Sequence, residues 1–334
     1  MRVPMRCPSL SELPTPPAGK RGWPWTEESA RVTERVDLPR ITVVTPSFNQ
    51  GQFIEETIRS VLLQGYPDLE YFVLDGGSTD DSVDVIKKYS PWITFWLSEA
   101  DDGQSAAINR GLRMGSGSYA TWINSDDMLC RDALGNVPFT DVQGHDVVYL
   151  GDCVNIDGQG TTRFVHRGRV HTLEDLVRIP QIWRCGGYIC QPEVLFPLRL
   201  ALSIGGLDES NHLTMDYDFW GRLFLAGATF HYSGVPFGIF RHHEAQKTLQ
   251  YAVRQTESML RDAERLIARA REIPVAVKHD ILADLQGYER AYPKEHWKQS
   301  GRLARIGLPP VVVKRIRRLR RAMAQTIGSF VSGT

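Results

Sequence analysis

The chain has 334 residues, 42% of them hydrophobic and 23% charged, which is typical of a globular protein with one large core or two smaller ones. Lys plus Arg equals Asp plus Glu at 39 each, so the charge balance gives no argument for a nucleic-acid ligand. The five scattered cysteines favour reduced thiols in the cytoplasm over a disulfide framework.

Membrane and zinc signals are absent from the sequence pattern. No segment reaches the roughly 18 apolar residues that a membrane span needs, and the first twenty residues lack the apolar run of a signal sequence. Cys185 and Cys190 lie close in sequence, but no second pair or histidine accompanies them at metal-binding spacing. We therefore expect a cytoplasmic protein without a zinc site.

The first structural segment in the sequence is an irregular arm. Residues 1–39 contain six prolines by Pro24 and show little periodicity. Trp23 and Trp25 are the side chains that could pack this arm against the rest of the protein.

Strands and helices alternate from Ile41 onward. The β-branched run ITVVT predicts a buried strand that stops at Pro46, and a helix is expected over 54–62. Further strands are predicted over 70–75, 92–100 and 118–123, with helices over 82–89 and 106–114 between them. This order indicates βαβ units and a mainly parallel sheet of an α/β fold.

Polar residues follow the ends of all four predicted strands. They are Thr45, Ser47, Phe48 and Asn49 after the first strand, Asp75 after the second, Glu99, Asp101, Asp102 and Gln104 after the third, and Asp126 and Asp127 after the fourth. Ligands bind beyond the carboxyl ends of parallel strands, so these loops predict one site.

The adjacent acids Asp126 and Asp127 are the most informative part of that site. A solvated turn is the ordinary explanation of such a pair. Because acids converge here from several loops that contain no Lys or Arg, we expect a hard divalent cation with a phosphate ligand. Neither a P-loop nor a dinucleotide-binding G-x-G-x-x-G is present.

Several stretches, in the expected order, resemble the family 2 glycosyltransferases with the GT-A fold. They are ITVVTPSFNQ, VLDGGSTDDS, SEADDGQSAAINRGL, WINSDDML, MDYDFWGRLFLAG and FRHHEAQKT. The resemblance covers residues 40–248 and implies a metal-dependent, inverting enzyme with Mn²⁺ or Mg²⁺. It further implies a UDP-, GDP- or dTDP-linked sugar donor, a glycan or lipid-linked acceptor, and a role in cell-surface polysaccharide or glycan synthesis.

The resemblance assigns donor-binding residues on the first strands. Asp75 matches the first acid of the family's Asp-Asp-Gly-Ser motif, while Gly76 replaces the second, so base recognition is expected to differ. Ser47 and Phe48 fall at the nucleotide-facing end of the first strand, although Phe48 could equally be a core aromatic. Asp101 and Gln104 join them, with loop polarity as the alternative.

The Asp-Asp pair matches the family's DXD-type motif. Asn124 stands where a further acid is common. By this resemblance Asp127 binds the metal and Asp126 binds the ribose or the donor sugar.

The second half of the matched stretch supplies the catalytic residues. Asp216 matches the acid of the family's Glu-Asp motif and is the predicted general base, whereas Asp218 is expected to be an ordinary helix-start acid. His243 is predicted to contact the metal or the diphosphate and Lys247 to bind phosphate. Trp220 is predicted to lie in the core.

Residues 249–334 form a predicted helical extension beyond the resemblance. Residues 256–273 are amphipathic, with Leu260, Leu266 and Ile267 on one side. The basic stretch KRIRRLRR, 314–321, either completes the fold or contacts anionic lipid at the inner face of the plasma membrane.

Two other functions remain open. A sugar-nucleotide nucleotidyltransferase has a similar sheet, but would need a glycine-rich loop with Arg and Lys after the first strand, and TPSFNQGQ contains neither cation. A nucleotide-sugar-binding protein without activity is disfavoured, because Asp75, Asp126, Asp127 and Asp216 are all present.

Overall fold

A computed structural model describes residues 7–32, 38–139, 146–244, 246 and 251–291. The strands are β1 (Ile41–Ser47), β2 (Leu69–Asp75), β3 (Phe95–Ser98), β4 (Tyr119–Trp122), β5 (Met128–Leu129), β6 (Val147–Asp157), β7 (Thr162–Arg167), β8 (Val194–Pro197) and β9 (Thr229–His242). The α-helices are α1 (Ile54–Leu62), α2 (Ser82–Tyr89), α3 (Gln104–Met114), α4 (Leu173–Val177), α5 (Leu198–Ser203), α6 (Met215–Leu225), α7 (Ala252–Arg269) and α8 (Val275–Ala291).

The strands form a nine-stranded sheet in the order β3-β2-β1-β4-β8-β6-β9-β5, with β7 paired to β6. Strands β1 to β4 pair in parallel, as the alternation of strands and helices predicted. Beyond β4 the sheet is mixed, since β8 pairs antiparallel with both β4 and β6 whereas β9 runs parallel to β6.

Strand β1 continues through Pro46, so the predicted stop there is wrong. Val44 accepts a hydrogen bond from Ile123 on the β4 side, and Ser47 accepts one from Gly76 on the β2 side. Alternate residues face the same neighbour, so Pro46 faces the β4 side. Strand β4 has already ended at Trp122, and the missing N–H of Pro46 therefore costs no ladder hydrogen bond.

Two other predicted boundaries differ from the structure. Strand β3 is restricted to Phe95–Ser98, because residues Ser90–Trp92 form a 3₁₀ turn. Helix α3 begins at Gln104, two residues earlier than predicted. The preceding residue, Gly103, has a φ of 105°, a conformation that glycine adopts readily.

The core lies on both faces of the sheet. Val44, Phe72 and Trp122 pack on the face covered by α3 and by the C-terminal helices. Val43 and Tyr71 pack on the opposite face, against α1 and α2. Trp220 is fully buried in the first of these layers, which confirms its prediction as a core residue; it stacks on Trp122, with ring centroids 5.3 Å apart.

The described part of the N-terminal arm is fastened to α1 by a buried arginine. Arg59 donates to the carbonyl oxygens of Pro14, Pro24 and Trp25 at 3.0 to 3.1 Å, and its side chain is completely buried. Trp23 donates its indole N–H to Leu129 O at 2.9 Å. The arm thus satisfies a buried charge, as buried cations require.

Helix α7 packs against α6 through the side predicted to be apolar. Leu260, Leu266 and Ile267 are buried, as expected. The contact is close, since a Cβ on Gly221 would lie 2.3 Å from Leu266 Cδ1. The basic stretch 314–321 lies outside the described residues. Of the helices that the structure describes, none has the length and apolar content to cross a bilayer.

Candidate active site

A cavity of about 750 Å³ opens at the carboxyl ends of β1 to β4. Its lining includes seven of the ten predicted site residues, namely Ser47, Phe48, Asp101, Gln104, Asp126, Asp127 and Asp216. The parallel strands end on this side, which is why loops distant in sequence converge here. Lys247 lies outside the described residues.

Phe48 stands at the cavity with 60% of its surface exposed, so the core interpretation of this residue is excluded. The neighbouring Ser47 hydroxyl is buried and has no hydrogen-bond partner among the described residues. Asn49, at a φ of 52°, turns the chain here, and its Oδ1 accepts a hydrogen bond from Thr79 N at 2.9 Å. An exposed aromatic ring beside an unpaired hydroxyl is suited to a ligand that has both a flat face and polar groups.

Asp75 is buried and does not line this cavity. Its carboxylate accepts hydrogen bonds from Ser78 N at 2.8 Å, Ser78 Oγ at 2.5 Å and Ser98 Oγ at 2.7 Å. These three bonds hold the loop after β2 against the end of β3. Asp75 therefore supports the loop from behind in this structure.

Asp101 occupies the space beside Gly76. A Cβ on Gly76 would lie 3.2 Å from both Asp101 carboxylate oxygens. The Asp-Asp-Gly-Ser pattern would have its second acid at position 76, where this chain has glycine. The Asp101 carboxylate, from the loop after β3, thus lies next to the position of that missing acid. Asp101 is exposed at the cavity, and its Oδ1 accepts from Gly103 N at 2.8 Å.

Asp126 lines the cavity and contacts His243, which is not itself one of the lining residues. His243 Nε2 lies 2.9 Å from Asp126 Oδ2, and the two side chains are 9% and 18% exposed respectively. Strand pairing produces this contact: β5 follows the Asp-Asp loop directly and pairs antiparallel with β9, which ends at His242. A carboxylate beside an imidazole nitrogen is a ligand set that suits Mn²⁺.

Asp127 also lines the cavity, but both of its carboxylate oxygens are hydrogen-bonded within the protein. Only 1% of its surface is exposed, its Oδ1 accepts from Arg241 N at 2.9 Å, and its Oδ2 accepts from Asn124 Nδ2 at 3.3 Å. Burial raises the pKa of Asp127 well above its ordinary value, and the neighbouring charge of Asp126 raises it further. Asp127 thus anchors the loop from which Asp126 projects.

Arg241 is the positive group that the Asp-Asp loop lacks in sequence. Its Nε donates to Asp126 O at 3.0 Å, and its Nη2 donates to Glu56 Oε2 at 2.7 Å. Trp25 donates to the other Glu56 oxygen at 2.9 Å, so the N-terminal arm contributes to this buried pair. Sequence reasoning noted Arg241 only as part of FRHHEAQKT and did not predict its contact with the loop.

Asp216 lies in the first turn of α6 and lines the cavity. Its Oδ1 accepts from Tyr217 N at 2.8 Å, and no described residue donates to Oδ2. Burial raises the pKa of Asp216, with a smaller contribution in the same direction from the charge of Asp262. Asp218 instead pairs with Arg222 at 2.7 Å and does not line the cavity.

Gln104 links the Asp-Asp loop to α3. Its Nε2 donates to Asn124 Oδ1 at 2.7 Å, while Asn124 donates to Gln191 Oε1 at 3.0 Å. Gln191 is a cavity residue that sequence reasoning missed, because it lies in an irregular segment with no strand end to mark it. His212, Leu213 and Gln246 were missed for the same reason, and Gln255 was missed because it lies on α7, away from the predicted strand ends.

A second group of possible ligands lies buried next to Gln191. Atoms of Cys153, Cys190 and Glu193 fall within 4.8 Å of one another, and all three residues are buried. Glu193 Oε2 has no hydrogen-bond partner among the described residues. The sequence expectation considered Cys185 with Cys190, but the fold brings Cys190 to Cys153 instead.

Comparison with known proteins finds one family model that matches part of the chain. The model described as Glycosyl transferase family 2 matches residues 42–189, which include the loops after β1 to β4. Over these residues the chain is similar to that family. TuaG of Bacillus subtilis, named as a teichuronic acid biosynthesis glycosyltransferase, is 29% identical over 145 residues, or 42% of this chain and 58% of TuaG. The chain spans about half the length of several curated relatives that it matches.

Solved structures share the fold of this chain. S. aureus TarS 1–349 in complex with UDP-GlcNAc superposes with a TM-score of 0.60 at 18% identity, covering 77% of this chain and 74% of that one. The mannosyltransferase PcManGT from Pyrobaculum calidifontis, solved with GDP-Man and Mn²⁺, gives 0.53 at 16% identity, covering 86% and 84%. The predicted GT-A fold is thereby confirmed.

Proposed function

We propose that the protein transfers a sugar from a nucleoside-diphosphate sugar to an acceptor hydroxyl, with inversion at the anomeric carbon and with a divalent cation. The observation that carries this proposal is that Asp126, which contacts His243, and Asp216 line one cavity of about 750 Å³. Similarity to the family and the named donors of TarS and PcManGT support the donor class.

The donor nucleotide would lie over the ends of β1 and β2. Phe48 offers an exposed ring for the base, and Asp101, at the space beside Gly76, offers a carboxylate for a base or ribose donor group. Ser47 has an unpaired hydroxyl within reach of the same part of the cavity. Asp75 would act through the loop that it holds together, and Lys247 remains a proposed phosphate contact.

The cation would bind to Asp126 and His243. Asp126 would thereby take the metal-binding role that was first expected for Asp127. Asp126 Oδ2 and His243 Nε2 already face each other at 2.9 Å, whereas both Asp127 oxygens accept hydrogen bonds inside the protein. A bound Mn²⁺ or Mg²⁺ would offset the charge of the departing diphosphate. Gln104 and Asn124 would hold the loop in its binding conformation.

Asp216 would take the proton from the acceptor hydroxyl. Its raised pKa brings it closer to working pH than an exposed carboxylate, which improves a general base. Inversion follows if the acceptor oxygen attacks in one displacement, since a single displacement reverses the configuration of the carbon. Asp216 therefore belongs to the acceptor side and the Asp126–His243 pair to the diphosphate side.

The product of such a transfer would be a cell-surface polysaccharide or glycan. The name of TuaG supports this process for a relative, and a glycan or lipid-linked acceptor is the corresponding substrate class. The structure supports neither alternative function. Nucleotidyl transfer would need Arg and Lys in the loop after β1, and that loop contains neither. A protein that only bound nucleotide sugars would have no use for Asp216 in the cavity.

The test is a donor screen followed by product analysis. Thermal shift with UDP-, GDP- and dTDP-sugars, each with and without Mn²⁺, should identify a donor that stabilises the protein more with the metal. The proton NMR spectrum of the product should then show an anomeric configuration opposite to that of the donor. Retained configuration would refute the single displacement, and no stabilisation by any nucleotide sugar would refute the function.

A further inference from the structure

We propose that Asp262 on α7 is a positioning residue for the transfer reaction, which holds the first turn of α6 from behind and acts on Asp216 through its negative charge. This proposal rests on the proposed function of Asp216 as the base. It concerns a helix beyond residues 42–189 that match the family model.

Asp262 is almost completely buried and is bonded to the start of α6. Its side chain is 1% exposed, and its Oδ2 accepts from Thr214 Oγ1 at 2.6 Å and from Asn211 Nδ2 at 3.1 Å. Asn211 Oδ1 in turn accepts from Thr214 N at 3.0 Å. Thr214 is the residue immediately before α6, two positions from Asp216.

These contacts engage the Thr214 side chain, which does not cap α6. A Thr at the N-cap normally accepts a hydrogen bond from a free N–H of the first turn. The Thr214 side chain makes no such bond and donates to Asp262 instead. The first turn of α6 is consequently fixed to α7, and the position of Asp216 depends on that attachment.

The packing of α7 on α6 makes this attachment rigid. Gly221 allows Leu266 to approach so closely that a Cβ at position 221 would lie 2.3 Å from Leu266 Cδ1. Leu266 lies one helical turn after Asp262. The carboxylate of Asp262 therefore has little freedom to move away from Thr214.

Asp262 also acts on Asp216 through its charge. Its charge helps to keep the pKa of Asp216 above the ordinary value. Arg265 pairs with Asp262 but is 62% exposed, and water screens part of its charge. The other ionisable groups nearby are Asp218, paired with Arg222 on α6, His212 at the cavity, and the buried Cys190 thiol. Among these groups, Asp262 is the carboxylate that is hydrogen-bonded to the residues directly before α6, the helix that carries Asp216.

The test compares Asp262→Asn with two matched variants in the full chain. Asp262→Asn removes the charge and keeps the size, so we expect kcat to fall about 10- to 100-fold with an unchanged donor KM. The acid limb of the kcat–pH profile should move to lower pH, because Asp216 loses a negative neighbour. Thr214→Val removes the hydrogen bond and keeps the charge, and should lower kcat without moving that limb. Glu264→Gln, an exposed charge on α7, should change neither quantity.

The outcomes separate this proposal from the proposed function. A folded Asp262→Asn protein with the pH profile and kcat of the unsubstituted enzyme overturns the proposal, and so does a fall in kcat without a pH shift. A carboxyl ¹³C titration of Asp216 in both proteins measures the same shift without any turnover. If transfer cannot be detected but the titration shifts, the proposed function fails while the coupling stands; an unshifted titration overturns the coupling.

Discussion

His243 Nε2 lies 2.9 Å from Asp126 Oδ2 although the two residues are 117 positions apart in the chain. The pairing of β5 with β9 creates this contact, and Arg241 fixes it from the same strand by donating to the Asp126 carbonyl. We therefore propose the metal contact for Asp126, which faces His243, whereas both Asp127 oxygens accept hydrogen bonds, from Asn124 and from the Arg241 backbone.

The metal prediction follows from that contact. We expect Asp126→Asn and His243→Ala each to weaken Mn²⁺-dependent binding of nucleoside diphosphate by at least about tenfold. Asp127→Asn should weaken it far less, because the Asp127 oxygens accept hydrogen bonds from Arg241 and Asn124. Calorimetry with Mn²⁺ and with EDTA measures both effects. If Asp127→Asn is folded and loses more Mn²⁺-dependent binding than Asp126→Asn, the metal contact belongs to Asp127, as the resemblance implied.

The base prediction concerns Asp216. Asp216→Asn should lower transfer by about 10²- to 10⁴-fold while donor affinity persists, since a general base acts only on the proton-transfer step. The wild-type rate should fall as pH drops through the raised pKa of Asp216, because protonation removes the base. Asp218→Asn is the matched comparison on the same helix. Near wild-type turnover in Asp216→Asn together with an inactive Asp218→Asn would assign the base to Asp218.

Phe48 gives a prediction about donor affinity. Its ring is 60% exposed at the cavity, and Phe48→Ala should weaken nucleotide binding by about 1 to 3 kcal/mol if the base stacks there. Unfolding stability should change little, because few core contacts are lost. Leu202→Ala, another exposed apolar side chain, is the control. Equal nucleotide affinity in Phe48→Ala and the wild type would exclude stacking on this ring.

Glu193 gives a prediction about stability and pH. Burial raises the pKa of Glu193 well above its ordinary value, and the charge of Asp152 raises it further. The pKa of Glu193 is therefore higher in the folded state than in the unfolded state. Its contribution to stability is fully present below the unfolded-state pKa and is lost as pH rises through the folded-state pKa. Glu193→Gln should therefore gain stability relative to the wild type between pH 5 and pH 8, as measured by urea unfolding. The exposed Glu272→Gln is the control, and a constant difference across this range would contradict the prediction.

The basic stretch 314–321 gives a prediction outside the described residues. Its six Lys or Arg should confer salt-sensitive binding to anionic vesicles, with each basic residue contributing about 1 kcal/mol near the surface. Truncation at Leu308 should remove this binding and leave transfer to a soluble acceptor intact. Co-sedimentation with anionic and neutral vesicles checks it, and unchanged sedimentation after truncation would leave the stretch without a membrane role.

The sequence by itself determined the parallel half of the sheet and the side on which the site lies. Periodicity and glycine positions mark β1 to β4 and the helices between them, and these patterns are local, so they can be read without the fold. The motifs after those strands also gave the resemblance to the family 2 glycosyltransferases, and the family model matches residues 42–189. Boundaries failed where a neighbouring strand decides them, as at Pro46, whose missing N–H is harmless only because β4 ends at Trp122.

Only the tertiary structure decided which contacts the two adjacent acids make. Asp126 and Asp127 are adjacent and chemically identical, and no local pattern tells which one contacts His243. Arg241 answers that question from 114 residues away, because its backbone N–H engages Asp127 and its guanidinium engages the Asp126 carbonyl. Asp262 likewise reaches Asp216 only through the packing of α7 on α6. Long-range contacts of this kind depend on how the strands pair and how the helices pack. The spacing of residues in the sequence does not give this information.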